Sequence, residues 1–367
     1  MGMNLDPCRI GLVGPVPPPE GGIANQTQQL ARLLREDGCE VEQVRTNAPY
    51  KPAFIGRIRV VRAFFRLVPY VLELWRVTTR VDLLHVMANS GWSWYFYAAP
   101  AIWVGNIRSV PVVVNYRGGG ASPFLMHHAR YVRSTLRRAR AVVVPSGFLR
   151  EVFLGFGIGS EIVPNVIDTR KFHPKNRTIE GCHSHRKAHI VIMRNLEPIY
   201  DIATGIQAFS LVRNQLPDVH LTIAGDGPER GPLEQLTREL ELNGSVTFAG
   251  RLHSDDVAKL YRSADLMLNS TLVDNMPNSI LEAMASGVPI VTTNVGGIPH
   301  IVEDGRTALM VRPRDVGAMA EAIVKLLTNE GEWQRVAAAA LHESSRYSWV
   351  NIRNMWFHIY QRVLEPS

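Results

Sequence analysis

Cysteine is scarce in this chain: Cys8, Cys39 and Cys182 are the only three in 367 residues, odd in number and scattered. That excludes a disulfide-stapled secreted fold and points to reduced thiols in the cytoplasm. The first residues lack the apolar run of a cleavable export signal. His183, His185 and His189 crowd one polar stretch, but without acids or cysteines at ligand spacing they make a poor metal site. The helix-turn-helix, RNP and zinc-finger patterns of nucleic-acid readers are missing, and so is the G-x-G-x-x-G spacing of a dinucleotide fingerprint. No internal repeat stands out. One uncharged run, residues 86–107, is long enough to span a membrane. Asn89, Ser90, Gly91, Ser93, Pro100 and Gly105 interrupt it, so it reads as a buried helix between the strands VDLLHV and VPVVV.

What is present suits two α/β domains. A length of 367 residues allows about two cores of ordinary size, and apolar strands alternate with helical segments throughout, as a doubly wound fold requires. The expected layout is a first domain at 1–168, a polar linker at 169–185, a second domain at 186–345, and a terminal helix at 346–367. That helix carries Trp349, Ile352, Trp356, Ile359 and Val363 on one face. Charge is uneven: residues 1–165 hold 19 Lys and Arg against 10 Asp and Glu, a net +9, whereas 166–367 hold 21 against 23, a net −2. Within the basic half, residues 57–80 interleave Arg57, Arg59, Arg62 and Arg66 with Phe64, Phe65, Leu67, Val68 and Tyr70. Residues 127–140 add Arg130, Arg133, Arg137, Arg138 and Arg140. Such stretches suit an anionic bilayer surface; a solvated face over core-facing aromatics is the alternative.

The richest segment is 270–291, STLVDNMPNSILEAMASGVPIV, which places Asp274 and Glu282 about the start of a short helix. Pro277 suits a first helical position, Asp274 and Asn275 suit a cap, and Gly287 suits the far end. The first-turn N–H groups of Asn278, Ser279 and Ile280 can hold a diphosphate, and Glu282 can accept hydrogen bonds from vicinal hydroxyls such as those of a ribose. A capped surface helix with two incidental acids is the competing reading. The context favours a ligand: VPIV runs on to Asn294, Gly296 and Gly297, VHLTIA runs on to Gly225, Asp226 and Gly227, and a third strand ends at Arg194. Open parallel sheets bind ligands at such strand ends. In the first half, residues 10–13 form a strand before a proline-rich turn, and Gly21-Gly22 opens the helix at 25–35. Those glycines either let backbone approach a phosphate or serve a turn needing φ > 0.

The chain resembles the family-4 glycosyltransferases of the GT-B fold. The likeness rests on GDGPERGPLEQL at 225–236, VTFAGRL at 246–252, the run from ADLML to VEDG at 264–305, and VPNVID at 163–168. It is strong over the second half and weaker over the first. It implies two Rossmann-like doubly wound domains facing across a cleft, with the terminal helix crossing back to the first, and a retaining transfer from a nucleotide sugar. It gives Asp274 the donor sugar, Glu282 the ribose, and Arg194 with Asn278, Ser279 and Ile280 the diphosphate. Gly21, Gly22, Gly225, Gly227 and Arg251 complete the donor set. Three departures stand out: Asp274 replaces a longer glutamate, Ile199 a diphosphate-binding lysine, and Arg117, at the end of PVVVNY, a histidine. A permanent cation for a neutral imidazole makes Arg117 either a catalytic contact to diphosphate or acceptor, or a salt-bridged loop residue.

The expected enzyme takes a UDP- or GDP-linked donor and a lipid-linked saccharide acceptor in surface glycoconjugate assembly. It needs no metal or other cofactor, binds no nucleic acid, and works at the cytoplasmic face of the membrane. A GT-B sugar-nucleotide 2-epimerase and a non-catalytic nucleotide-sugar or lipid-binding partner are the rivals. His85, at a strand end, either approaches the acceptor or is a satisfied core histidine.

Overall fold

The computed structural model describes residues 8–18, 21–48, 61–174 and 187–365, with the side chains of 61–65 excepted. The chain forms two compact units: Met1–Val166 with Trp349–Ser367, and Ile167–Ser348.

The first unit alternates β1 (Arg9–Gly14), α1 (Gly22–Glu36), β2 (Glu40–Arg45), α2 (Val61–Val77), β3 (Leu83–Ala88), α3 (Ala99–Ile107), β4 (Val112–Tyr116), α4 (Ala121–Leu136), β5 (Ala141–Val144), α5 (Gly147–Gly155) and β6 (Glu161–Ile162). Its six strands are all parallel, in the order β2-β1-β3-β4-β5-β6. β3 and β4 are buried along their whole length, because helices cover both faces of the sheet. Residues of α2, α3, α4 and α5 share one core with the strands.

The second unit runs β7 (Ala188–Met193), α6 (Ile202–Gln215), β8 (Val219–Ala224), α7 (Arg230–Glu239), β9 (Val246–Gly250), α8 (Ser254–Ser263), β10 (Leu266–Asn269), α9 (Asn278–Ala285), β11 (Ile290–Thr293), β12 (Leu309–Val311), α10 (Val316–Thr328) and α11 (Glu330–Ser344). Its strands are again parallel, ordered β12-β11-β10-β7-β8-β9. Each sheet therefore reverses its winding once, between β1 and β3 in the first and between β7 and β10 in the second. Crevices at such reversals are where doubly wound sheets place their ligands.

The last helix, α12 (Trp349–Leu364), belongs to the first unit. With α1 it covers the second face of that sheet, burying Ile352, Trp356, Phe357, Ile359 and Val363. At about 2 kcal/mol for each such side chain, the gross gain is roughly 10 kcal/mol, enough to make the helix part of the core.

Two expectations need correction. Residues 86–107 do not form a buried helix: a π-helical turn at Trp94–Ala98 leads into α3, and Trp92 and Ile107 stand 75 % and 62 % exposed. The segment is an outer layer, so only its sheet-facing side is covered. The stretch after Asp168 is not wholly a polar linker either. Phe172 is buried edge-on to Tyr261, and Lys171 pairs with Asp255 at 2.8 Å. His183 and His185 lie outside the described residues. His189 is engaged by Thr222 at 2.8 Å and Ser263 at 3.2 Å.

Candidate active site

In the second unit the functional side chains gather at the winding reversal. Arg194 follows β7, and its backbone N–H donates to Ala224 O at 3.0 Å, continuing the β7–β8 ladder by one residue. Its side chain is held on three sides: Nε donates to Asn269 Oδ1 at 3.0 Å, Nη2 pairs with the Asp274 carboxylate, and the guanidinium lies 4.8 Å over the Tyr200 ring. Both partners of the ion pair are largely buried, with side chains 11 % and 14 % exposed. A pair this enclosed is screened far less than a surface one.

The loop bearing Asp274 is locked by backbone contact. Gly297 N–H donates to Asp274 O at 2.9 Å, and a Cβ on Gly296 or Gly297 would come within 2.0 Å of Asp274 O or 1.8 Å of Asn275 O. Gly225 and Gly227 play the same part beside Arg194, where a Cβ would lie 1.8 Å from Arg194 O and 2.4 Å from Leu196 O. These four glycines are required because two stretches of this chain's own backbone touch.

α9 begins differently from its expected form. Pro277 is the N-cap and has no side-chain donor or acceptor to offer the first turn. Asp274 is spent instead on Asn275 N–H at 2.7 Å and on Arg194. Ser279 is buried, and its hydroxyl oxygen has no hydrogen-bond partner among the described residues. Gly287 closes the helix at φ +66°, as expected. One turn into α9, burial pushes the Glu282 carboxyl up to about 7, while the Arg194 charge, a hydrogen bond with Tyr261 and the Lys171 charge each pull it back down. Arg194, Asp274, Ser279 and Glu282 thus form one constellation. Arg251 stands exposed just past β9, and Ile199 is 47 % exposed in a 3₁₀ turn.

In the first unit Arg117 follows β4 and is half-buried. Its Nε donates to Asn115 Oδ1 at 3.1 Å, and Nη1 reaches Gln26 Oε1 at 3.4 Å and the Asn165 amide oxygen. Among the described residues it has no carboxylate partner. Burial lowers its pKa to about 10, so it remains a cation near neutrality. His85 is a satisfied core histidine, with Nδ1 2.7 Å from the Tyr360 hydroxyl and Nε2 3.1 Å from Asn115 Nδ2.

Gly21 caps α1 at φ −177°, an extended conformation open to any residue, so the positive-φ turn is not what places a glycine there. Among the described residues nothing lies within 4 Å of where its Cβ would be. Gly22 is the exposed first residue of α1. Asn165 and Asn269 lie inside the motif runs at 163–168 and 264–305 without a role assigned to them, and Gln26, Asn115 and Tyr200 carry no motif.

Two family models match the chain: "Glycosyltransferase Family 4" over residues 20–171 and "Glycosyl transferases group 1" over residues 187–329. The sulfoquinovosyl transferase SQD2 of Arabidopsis thaliana is 26 % identical, over 92 % of this chain and 71 % of that protein. The N-acetyl-alpha-D-glucosaminyl L-malate synthase of Bacillus anthracis is also 26 % identical, over 85 % and 86 % of the two chains. The fold superposes on Anabaena HepE, solved with UDP and glucose, with a TM-score of 0.75 and 19 % identity over 96 % of this chain and 99 % of that one. Sucrose-phosphate synthase of Thermosynechococcus elongatus gives 0.74 and 18 %, over 97 % and 99 %. With both halves matched and two parallel-sheet units of GT-B type, the chain belongs to the family-4, group 1 glycosyltransferases and is a glycosyltransferase enzyme.

Proposed function

We propose that this enzyme transfers a sugar, with retention, from a nucleoside diphosphate sugar to a lipid-linked saccharide acceptor in surface polysaccharide or glycoconjugate assembly. The observation that carries the donor site is the constellation at the β7–β10 reversal: a held guanidinium at Arg194, a helix start at Pro277 with the Ser279 hydroxyl, unpartnered among the described residues, and Glu282 on the same helix. In this reading the diphosphate lies against Arg194, Arg251 and the Asn278–Ile280 turn, the ribose hydroxyls donate to Glu282, and Asp274 meets the donor sugar. Gly21 and Gly22 leave room at the start of α1 for a phosphate or the acceptor. HepE, which shares the fold, was solved with UDP and UDP-glucose.

Breaking the glycosidic bond leaves negative charge on the departing diphosphate. Fixed cations and helix N–H groups stabilise that charge more than the bound ground state, which lowers the barrier. With Ile199 where the family has a lysine, more of this falls on Arg194. The acceptor hydroxyl then attacks the face the diphosphate leaves. No metal is needed in this scheme.

The lipid-linked acceptor and a peripheral position on the cytoplasmic membrane face rest on a basic, aromatic surface of the first unit. Residues 83–150 contain no Asp or Glu. On the outer side of α2 and α3, Leu72, Trp75, Trp103 and Ile107 are exposed, with Arg108 5.0 Å over Trp75 and Arg138 3.7 Å over Trp103. Arg57 and Arg59 lie outside the described residues. No described helix is long and apolar enough to cross a membrane.

The test is a panel of UDP-, GDP- and ADP-sugars with free nucleotide followed, with and without added saccharide-lipid. The expected outcome is release with one donor class, stimulated by acceptor and reduced by roughly 10²-fold or more in Asp274→Ala. Release that needs no acceptor and yields an epimerised sugar would overturn the reading. Unchanged UDP and GDP affinity in Glu282→Ala would refute the ribose assignment.

A further inference from the structure

We propose that Gln26, Asn115 and Asn165 hold Arg117 through neutral amides so that its positive charge stays uncompensated for a phosphoryl oxyanion of the substrates, with His85 and Tyr360 acting as positioning residues for the Asn115 amide. This rests on the donor and acceptor reading above and names the ligand chemistry of the first unit's site.

The proton positions follow from the contacts. Gln26 Nε2 donates to Val166 O at 3.1 Å, which turns its oxygen to Arg117. Asn115 gives its oxygen to Arg117 Nε, so its Nδ2, which can only donate, faces His85 Nε2 and Met87 Sδ. His85 Nε2 must therefore carry the lone pair and Nδ1 the proton, which donates to the Tyr360 hydroxyl on α12. Burial, then the Arg117 charge, lowers His85 to about 3, so the ring stays neutral at ordinary pH.

At all three contacts a carboxylate of nearly the same shape would bind the guanidinium more strongly in a poorly solvated site. The chain uses amides. Arg117 Nη2 has no partner among the described residues. Beyond it, Gly118 fits tightly, with a Cβ 2.5 Å from Asn89 Oδ1, whereas a Cβ on Gly119 would meet nothing within 4 Å among the described residues, and Gly120 is the N-cap of α4. The first turn of α4 holds no acid, so the helix start adds to the field of Arg117.

Asn165→Asp against Asn165→Ala tests this. The aspartate should leave the melting temperature unchanged or raised, yet weaken inorganic pyrophosphate binding in calorimetry roughly tenfold and cost more turnover than alanine does. A purely structural contact predicts the opposite order. Weaker UDP or GDP binding would place the oxyanion on the donor, and a raised acceptor KM with unchanged nucleotide affinity would place it on the acceptor. A folded Asn165→Asp enzyme with wild-type pyrophosphate affinity and turnover would overturn the proposal. Nitrogen-15 NMR of His85 reads the positioning: Nδ1–H in the wild type, moving to a ring protonated at Nε2 in Asn115→Asp. A wild-type Nε2–H tautomer would refute it. Pyrophosphate binding needs no turnover, so a protein inactive with every donor would defeat the transfer reading while this one is still judged.

Discussion

At Glu282 two demands oppose each other: burial favours the neutral acid, and ribose hydroxyls are better accepted by the anion. With the carboxyl near 7, nucleotide affinity should fall as pH drops below neutrality, by up to about tenfold per unit. Glu282→Gln should flatten that dependence, and calorimetry at several pH values checks both. Stability runs the other way. The folded carboxyl titrates above the unfolded one, so its ionisation costs stability as pH rises from the ordinary value of 4.5 towards 7. Over that window Glu282→Gln should gain melting temperature relative to wild type. The carboxylate itself was legible, because its spacing from Asp274 and its flanking glycines are local pattern. Tyr261, which tunes it, comes from α8 and gave no signal. The amides around Arg117 were equally silent. Gln26 sits in a helix whose signal is its apolar positions, Asn165 lies in VPNVID with nothing local to link it to Arg117, and only Asn115, two residues before Arg117 in one strand, is its neighbour in sequence.

Strands were read from their apolar runs because parallel sheets are covered on both faces, which erases alternation but leaves β3 and β4 as short hydrophobic blocks. The start of α9 departs from its local pattern for a physical reason. Asp274 and Asn275 look like caps, but the carboxylate gains more from a largely buried arginine than from a helix N–H. The glycines around them prove structural in a way spacing does not reveal, since contact between two backbones is set by tertiary folding. Gly297→Ala tests that role. Its φ of −85° suits alanine, so any loss is steric, from a Cβ 1.8 Å from Asn275 O. A fall of roughly 1–3 kcal/mol in stability is expected, with turnover lowered further because Asp274 is displaced. Wild-type melting and rate would mean that the loop yields freely.

Over the whole molecule the charge asymmetry was plain from counting, but which arginines stand together had to await the packing of α2, α3 and α4 in one layer. If that layer meets a bilayer, the protein should sediment with vesicles containing phosphatidylglycerol and not with pure phosphatidylcholine, and release as salt approaches 0.5 M. Trp75→Ala with Trp103→Ala should weaken capture at low salt several-fold; equal partition onto neutral vesicles would reject an electrostatic surface. The domain layout carries one more consequence. The second unit is an insertion: the chain leaves the first at Val166 and re-enters it at Trp349, where Ile167 and Ser348 pair side by side. As the ribosome delivers residues in order, the inserted lobe is complete while the earlier one still lacks Trp356 and Tyr360. Until α12 emerges, the part of the first sheet's second face that α1 leaves uncovered stays bare, with the His85 ring, so the earlier lobe can finish its core only after the inserted one has been made.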